Sequence, residues 1–441
     1  MPQQIKEDDG TMINIIKAGT PAEEQLLERL RKRSDTDSSE IRSIVAGIIK
    51  RVREDGDGAV KQYTATLDSP SAEYYEVPRE VIDSAREHCS PKVIAAMEKA
   101  AANISEFHKK QLTRSWLETR EDGVIVGQRV RGLARVGVYV PCGTAPLSSS
   151  VLMNLIPAKI AGVKEIIMCT PPLKTGQPNM EMLAAAAIGG ADRVFLIGGA
   201  QAIAAMAFGT ELIPQVDKIV GPGNIYVATA KRLVYGTVDI DMFAGPSEIL
   251  IIADETAKPE FLAADLLSQA EHDRIASAIM LTTSRELAEK TDDCMRRQAA
   301  ALPRRDIAAR SVDDYGAIVV CDSVDYAIDL ANKISPEHLE LCIKDPMEYI
   351  GRVDNVGSLF LGNYSPESLG DYCAGPNHVL PTSGTARFFS PLSVDSFIKK
   401  SSFIYYTKEA LREVCDTITT MAEAEKLDGH ANAARVRFEN E

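Results

Sequence analysis

Val136-Gly-Val-Tyr-Val140 opens the stretch that decides the fold of this chain, and the stretch runs on to Val220. Short runs of β-branched residues alternate there with Ala-rich segments. Buried parallel strands read as continuous apolar runs, and Ala-rich pieces between them fit crossover helices. The alternation therefore predicts a βαβ series in a doubly wound α/β sheet. The further strand runs are 165–168, 193–197 and 218–220, and the helical pieces are 151–161, 180–188 and 200–207.

A second, less regular alternation of the same kind follows between residues 247 and 361. Residues 22–117 and 391–441 read mainly as helices, and the latter segment is too short to bury a core alone. The predicted fold class is α/β, with two Rossmann-like doubly wound domains, a small N-terminal arm and a helical C-terminal tail. The predicted boundaries are 1–25 for the arm, 26–136 with 249–390 for the first α/β domain, 137–248 for the second, and 391–441 for the tail.

The composition excludes several classes of protein. The chain has 441 residues, a net charge of −14 and a hydrophobic fraction of 45%, which argues against nucleic acid or an anionic membrane as the main partner. The polar N-terminus lacks the regions of a signal peptide, and no apolar run approaches the length of a membrane span. The eight cysteines are scattered without a CxxC pair, so we expect a cytoplasmic protein with reduced thiols.

Histidine is scarce, and its distribution is uneven. The chain has six, and four lie in polar motifs of the second half, at His272, His338, His378 and His430. Histidine supplies metal ligands and proton shuttles near neutral pH. This concentration beside Asp, Glu and Gln suggests one metal-dependent active site assembled from distant segments, although each histidine alone also fits an ordinary surface or core position.

The motif Gln269-Ala-Glu-His272 closes a predicted helix, and its first and last residues are close enough to share one helical face. Imidazole is a good zinc ligand, and an amide oxygen is a weak, neutral one. A plain polar helix end is the alternative interpretation.

The motif Ser335-Pro-Glu-His338 predicts the start of a helix, with Ser335 as its N-cap and Pro336 in its first position. Glu337 and His338 would then provide two proton-transfer groups with different pKa values. A capping arrangement without catalytic function fits the motif equally well.

A long polar loop between Glu367 and Pro381 contains Asp371, a candidate hard metal ligand, and His378, a candidate orienting group. Near the C-terminus, Glu425 and His430 look by themselves like an ordinary exposed helix end.

Three glycine-containing turns follow predicted strands. Gly198-Gly-Ala-Gln201 and Gly221-Pro-Gly-Asn224 place small residues where a backbone could approach a nucleotide, and Ala244-Gly-Pro-Ser247 presents a hydroxyl. None is a GxGxxG fingerprint, so tight turns that bind nothing remain the alternative.

Together these stretches closely resemble the histidinol dehydrogenase family, from about residue 136 to residue 437. The strongest segments are VGVYVP, GGAQAIAA, VDKIVGPGN, FAGPSEIL, DLLSQAEHD, SPEHLE, GDYCAGPNHVLPTSG and AEAEKLDGHANA. The resemblance implies a four-electron oxidation of L-histidinol to L-histidine through the aldehyde, with two NAD molecules and one zinc ion. The first α/β domain would then carry most of the metal and catalytic residues, and the domain 137–248 would be the NAD side.

By the same resemblance, each candidate residue has an expected role. The zinc ligands are Gln269, His272, Asp371 and His430, and the proton acceptors are Glu337 and His338. The substrate contacts are Ser247, His378 and Glu425 together with the metal ligands and His338, and the NAD contacts are Tyr139, Gln201 and Asn224. The family is a homodimer of intertwined subunits, so Glu425 and His430 would act in the partner's site.

One residue departs from the family pattern. Cys142 stands where many relatives have glycine, and we interpret it as a small residue in that place and not as a nucleophile. Two other functions stay open, namely a related zinc- and NAD-dependent dehydrogenase of another polar alcohol, such as a sulfonated propanediol, and an inactive binding or regulatory paralogue.

Overall fold

The computed structural model describes residues 11–33, 39–142, 146–242 and 245–439. By their contacts these residues form two compact units. The first contains the described residues up to Gln111 together with Leu133–Phe397, and the second contains Leu112–Gly132 together with the described residues from Ile398 onwards. The domain boundaries expected from the sequence stay a prediction.

The described strands are β1 Ile15–Lys17, β2 Trp116–Thr119, β3 Ile125–Gly132, β4 Arg135–Tyr139, β5 Glu165–Thr170, β6 Arg193–Leu196, β7 Lys218–Val220, β8 Asp239–Ile240, β9 Glu248–Ala253, β10 Ser277–Thr282, β11 Ala317–Val320, β12 His338–Cys342, β13 Ser358–Leu361 and β14 Ile398–Tyr405.

The described α-helices are α1 Pro21–Arg33, α2 Ser39–Asp55, α3 Asp57–Tyr63, α4 Arg79–Ser84, α5 Pro91–Lys109, α6 Ser148–Ile160, α7 Met180–Gly189, α8 Gly199–Phe208, α9 Ile225–Val234, α10 Pro259–Ala270, α11 Arg285–Ala299, α12 Arg305–Tyr315, α13 Val324–Ile334, α14 Glu367–Tyr372, α15 Lys408–Ala424 and α16 Asp428–Arg435.

The stretch that begins at β4 forms a five-stranded parallel sheet in the order β6-β5-β4-β7-β8, here called sheet B. Its central strands are buried because their residues are almost all apolar, as in the run of β5. Helices α7 and α8 are rich in alanine, and small side chains let them pack closely on the sheet. The predicted α/β architecture with parallel strands is confirmed.

A second, six-stranded parallel sheet has the order β1-β11-β10-β9-β12-β13 and is here called sheet A. Every residue of β9 and β10 is buried, because alternate side chains enter cores on both faces of the sheet. Helices α10, α11 and α12 cover one face, and α1 and α13 cover the other. Residues 15–17, predicted to lie in a loose N-terminal arm, are the edge strand of this sheet, and residues 1–10 of that arm lie outside the described residues.

The two parallel sheets share one winding order. The chain first runs outward through three neighbouring strands and then returns to the other side of the first one. The order reverses between β4 and β7 in sheet B and between β9 and β12 in sheet A. Such switch points are where open α/β sheets commonly form crevices for ligands.

The second unit pairs β14 with β3 and β3 with β2 in an antiparallel sheet, and it also contains α15 and α16. The tail predicted to be mainly helical therefore begins with an eight-residue strand. The aromatic and β-branched end of that run, Phe403-Ile-Tyr-Tyr406, favours a strand, and the helical interpretation of this part was wrong. In neither unit is a described helix both long and apolar enough to cross a membrane.

Candidate active site

A cavity of about 260 Å³ lies between the two parallel sheets of the first unit. Loops at the carboxyl ends of sheet B strands form one side of it, including Gly221 and Pro222 after β7. Residues at the amino ends of β9 and β12 form the other side. The predicted site residues that line the cavity are Ser247, Gln269, His272, Glu337, His338, Asp371 and His378.

Glu337 is held by a reciprocal pair of hydrogen bonds between neighbouring strands. The backbone N–H of Glu248 donates to the Glu337 carboxylate at 2.9 Å, and the backbone N–H of Glu337 donates to the Glu248 carboxylate at 3.2 Å. The buried Arg33 guanidinium pairs with Glu248. Burial and the charge of Glu248 hold the pKa of Glu337 well above its usual range, which makes its carboxylate a stronger base once ionised.

His338 is the first residue of β12, and it is buried. Its Nδ1 lies 2.9 Å from the carbonyl oxygen of Glu248, which can only accept a hydrogen bond. Nδ1 therefore carries the proton, and the neutral ring keeps Nε2 as the basic nitrogen. Burial lowers the pKa of His338, with Asp371 opposing, so the ring is neutral at neutral pH and its Nε2 is available as a proton acceptor.

The local structure around these two residues corrects a prediction from the sequence. Ser335 is not an N-cap, because it ends α13 in a left-handed conformation with φ of 55°. The proline that follows disfavours a helical conformation at Ser335, and the chain then enters β12 between two parallel neighbours. The predicted helix start was wrong, and Glu337 and His338 instead lie at the amino end of a central strand.

Gln269 lies in the last turn of α10, and His272 follows the helix as an exposed residue. The Gln269 side chain is 1% exposed, and its Nε2 lies 3.3 Å from Nδ1 of His338. Its Oε1 is buried without a hydrogen-bond partner among the described residues. A buried amide oxygen without a partner is what a metal ligand looks like in the absence of its metal.

Asp371, His378 and Ser150 form a short chain of contacts on the opposite wall. Nδ1 of His378 lies 3.0 Å from the carbonyl oxygen of Asp371, and Nε2 lies 3.1 Å from the hydroxyl of Ser150. Burial acts to raise the pKa of Asp371, but hydrogen bonding and charge from His378 prevail and lower it to about 2. Nothing in the local sequence pointed to Ser150, because only the meeting of α6 with this loop gives it a role.

A row of buried carboxyl groups continues from Asp371 into the protein. The backbone N–H of Glu367 donates to Glu340 at 2.7 Å, and Glu340 is hydrogen-bonded to Asp265. Burial and the Asp371 charge raise the pKa of Glu367 to about 9, and burial raises that of Asp265 to about 6. The sequence indicated no function for Asp265 and Glu340, which lie in an ordinary-looking helix and strand, and it marked Glu367 only as the start of the polar loop.

The donor set of this pocket fits a divalent cation. Ligand atoms of His338, Glu367 and Asp371 all lie within 4.8 Å of one another. Nitrogen and oxygen donors of this kind suit zinc. Oε1 of Gln269 and Oε1 of Glu367 are both buried without a hydrogen-bond partner in the described part of the chain. A cation in this cluster would offset the repulsion among its carboxylates.

The three residues predicted to contact NAD are not among those that line this cavity. Tyr139 and Gln201 are buried, and the Tyr139 hydroxyl accepts a hydrogen bond from the backbone N–H of Gly199 at 3.0 Å. Asn224 is exposed and caps α9 by accepting from the backbone N–H groups of Tyr226 and Val227. Their contact with a nucleotide stays a prediction.

Glu425 and His430 belong to the second unit, and both are exposed. Glu425 ends α15, and His430 lies near the start of α16. The proposed turn at Ala244 is only partly described, since Gly245 to Ser247 are described and Ala244 is not.

Comparison with known proteins identifies the family of this chain. The family model described as histidinol dehydrogenase matches residues 31–438. The histidinol dehydrogenase of Clostridium acetobutylicum is 52% identical over 97% of this chain and 99% of its own length. That of Caldanaerobacter subterraneus subsp. tengcongensis is 54% identical over 94% of this chain and 97% of its own. The crystal structure of histidinol dehydrogenase from Elizabethkingia anophelis matches with a TM-score of 0.90 and 39% identity, covering 98% of this chain and 99% of that one.

Proposed function

The chain belongs to the histidinol dehydrogenase family, and on that premise we propose that it oxidises L-histidinol to L-histidine with NAD as hydride acceptor and one zinc ion in each site. It is an oxidoreductase of histidine biosynthesis. The observation that carries the zinc part of the proposal is the buried, unpartnered Gln269 oxygen beside a cluster of His and carboxylate side chains.

We assign the zinc to Gln269, His272, Asp371 and the partner-derived His430. When bound, zinc supplies the positive charge that holds the imidazole and amine of histidinol and fixes its reacting carbon. Glu367 belongs to the same cluster, and its carboxylate accepts a hydrogen bond from the hydroxyl of Ser268.

In the first half-reaction, Nε2 of His338 accepts the proton of the substrate hydroxyl, and a hydride passes to NAD from the carbon that bears this hydroxyl. In the second, the Glu337 carboxylate takes a proton from water, and the water oxygen adds to the aldehyde carbon. A second hydride transfer to fresh NAD and loss of the remaining proton give the carboxylate. Ser247 and His378 border the same cavity and would hold the substrate between the two bases.

The first experiment measures NAD reduction by the purified protein with L-histidinol, before and after dialysis against a chelator. We expect activity that chelation removes and added zinc restores, with one metal ion for each chain. Activity with a sulfonated propanediol and none with histidinol would support the related dehydrogenase, and no turnover of either would support the inactive paralogue. Metal analysis that finds no divalent ion in the active protein would contradict the zinc site.

A matched pair of variants tests Gln269. Gln269→Ala removes the unpartnered buried oxygen and should weaken zinc affinity about 10- to 100-fold, whereas Gln298→Ala on the neighbouring helix α11 should not. The measurement is competition with a zinc-binding dye, which does not depend on activity. Equal zinc affinity in both variants would remove Gln269 from the ligand set.

We further propose that the active unit is a homodimer in which Glu425 and His430 complete the partner's site. The second unit supports this, because the exposed apolar side chains on its three-stranded sheet are typical of a surface that another molecule covers. Leu117 is 64% exposed and Ile404 is 72% exposed, and Trp116 and Tyr405 are also exposed. A second copy of the chain is the partner that the family resemblance implies.

Mixing inactive His338→Asn protein with inactive His430→Ala protein tests this arrangement. In a mixed dimer both lesions fall in one site and the other site is intact, so at most about half of the sites recover. Refolding each variant alone is the control, and it should give no activity. Mixed dimers that form but stay inactive would place His430 in the site of its own chain.

A further inference from the structure

Asp68 occupies the place where a dinucleotide-binding protein commonly holds a phosphate. One of its carboxylate oxygens accepts a hydrogen bond from the backbone N–H of Gly198 at 3.0 Å, just before α8 begins. The same oxygen accepts from Nε2 of Gln201 at 3.1 Å. Two donors on one oxygen suit an ionised carboxylate.

The glycines of this turn serve the protein's own side chains. A Cβ atom at Gly198 would lie 2.4 Å from the Asp68 carboxylate, and one at Gly199 would lie 2.6 Å from the Gln201 amide oxygen. The backbone N–H of Gly199 donates to the Tyr139 hydroxyl. The first two N–H groups at the amino end of α8 are therefore already used, and a phosphate would meet the Asp68 carboxylate there.

A second observation indicates that the turn still meets a ligand. The amide oxygen of Gln201 is buried and has no hydrogen-bond partner among the described residues, although the nitrogen of the same amide is bound to Asp68. A buried acceptor of this kind needs a donor. The hydroxyl groups of a ribose are neutral donors, and unlike a phosphate they are not repelled by a neighbouring carboxylate.

We propose that Asp68 selects NAD over NADP: its carboxylate would repel the 2′-phosphate of NADP, and Gln201 would bind the unmodified ribose of NAD. The inference rests on the proposed use of NAD at Tyr139 and Gln201. The charge of Lys174 acts on Asp68, and the Lys174 ammonium group donates to the Asp68 carbonyl oxygen at 3.2 Å. The preference for NAD over NADP therefore depends on the negative charge of Asp68, which offsets the positive charge of Lys174.

The test compares the affinities of NADH and NADPH for the full-length protein by the fluorescence of the nicotinamide itself, which does not depend on turnover. Asp68→Asn removes the negative charge and keeps an acceptor oxygen for the backbone N–H of Gly198. We expect the preference for NADH over NADPH to fall at least tenfold in this variant, with NADH affinity changed less than about threefold. Asp239→Asn removes one charge from the far edge of sheet B and should leave the preference unchanged.

Two further measurements separate charge from a structural effect. The wild-type preference should shrink as salt rises from 0.05 M to 1 M, because the Debye length falls from over 10 Å to about 3 Å. Adding Lys174→Gln to Asp68→Asn should return part of the lost preference. An unchanged ratio in Asp68→Asn, or an equal loss of affinity for both cofactors, would overturn the inference. Wild-type protein that binds NADH selectively but does not oxidise histidinol would contradict the proposed reaction and not the role of Asp68.

Discussion

Sheets A and B have the same winding order, yet the cavity uses opposite ends of them. Sheet B contributes the carboxyl ends of its strands, where Gly221 follows β7. Sheet A contributes the amino ends, where Ser247 precedes β9 and Glu337 precedes β12. Fold class alone therefore does not say which end of a parallel sheet is functional.

At the carboxyl ends of sheet A, a side chain bridges the segments that follow β9 and β12. At the switch point between β9 and β12, the Asp254 side chain accepts hydrogen bonds from the backbone N–H of Lys344 at 2.8 Å and from that of Thr256 at 2.9 Å. The amino ends of the same two strands also hold carboxylates, because the backbone N–H groups of Glu248 and Glu337 each donate to the other residue's side chain. We expect the two proposed bases to act at the amino ends of sheet A and the nucleotide to bind on the side of sheet B.

The largest expected effect is the loss of the two bases at the amino end of β12. His338→Asn should slow the oxidation of histidinol about 10²- to 10⁴-fold, and Glu337→Gln should mainly slow the oxidation of the aldehyde, where water must be activated. Histidinol and histidinaldehyde are supplied separately to each variant, and NADH formation is followed. Equal losses on both substrates in both variants would refute this division of roles.

The second largest effect should come from breaking the ion pair between Arg33 and Glu248, which supports Glu337. Glu248→Gln leaves the Arg33 guanidinium, whose side chain is 1% exposed, without its ion partner, so the protein should lose about 3–5 kcal/mol of unfolding free energy. The double variant Arg33→Met with Glu248→Gln should recover most of that loss, because no unpaired buried charge remains. Urea denaturation measures both, and a single variant as stable as wild type would show that the pair does not support this end of sheet A.

Substitution of Gly221 tests whether the sheet B side of the cavity binds NAD. Gly221 has φ of 108°, and a Cβ atom there would lie 2.0 Å from the carbonyl oxygen of Tyr139. Gly221→Ala should cost about 1–3 kcal/mol of unfolding free energy and should raise the KM for NAD more than the KM for histidinol. Gly47→Ala, in the middle of α2 with open space around it, is the control and should be neutral or slightly stabilising. A larger change in the KM for histidinol would assign this turn to the substrate.

The smallest expected effect is on the pH dependence of stability and involves His108 of α5, which is not among the residues that line the cavity. It is buried beside Gln111 and Asn377, and burial lowers its pKa, so the folded protein keeps it neutral. The unfolded chain takes up this proton as pH falls through about 6.5, and the folded chain does so only at lower pH, so stability falls in that window. His108→Gln should flatten the loss of thermal stability between pH 7 and pH 5, whereas exposed His88→Gln should not. Identical pH profiles for His108→Gln and wild type would contradict this.

The sequence predicted the parts of the molecule whose signal is local. Continuous apolar runs indicated the buried parallel strands, and the spacing of Gln269 and His272 placed both at one helix end. It failed at Ser335, because the capping pattern is local but the pairing of β12 with β9 and β13 is not. It could not find Glu248, whose partner Arg33 is 215 positions away in the chain. Ser150 and Asp68 gain their contacts only when distant segments meet.

The edge strand β1 has a consequence for how the protein is made. Sheet B is built from one continuous piece of chain, whereas β1, at residues 15–17, pairs with β11, at residues 317–320. During translation we expect sheet B to form before β1 pairs with β11, because domains fold as their sequence emerges and distant pairings form late. Limited proteolysis of stalled nascent chains ending near residue 290 should find sheet B protected and residues 11–33 still cleavable. The segment that contains β1 would then be among the last parts of sheet A to pair.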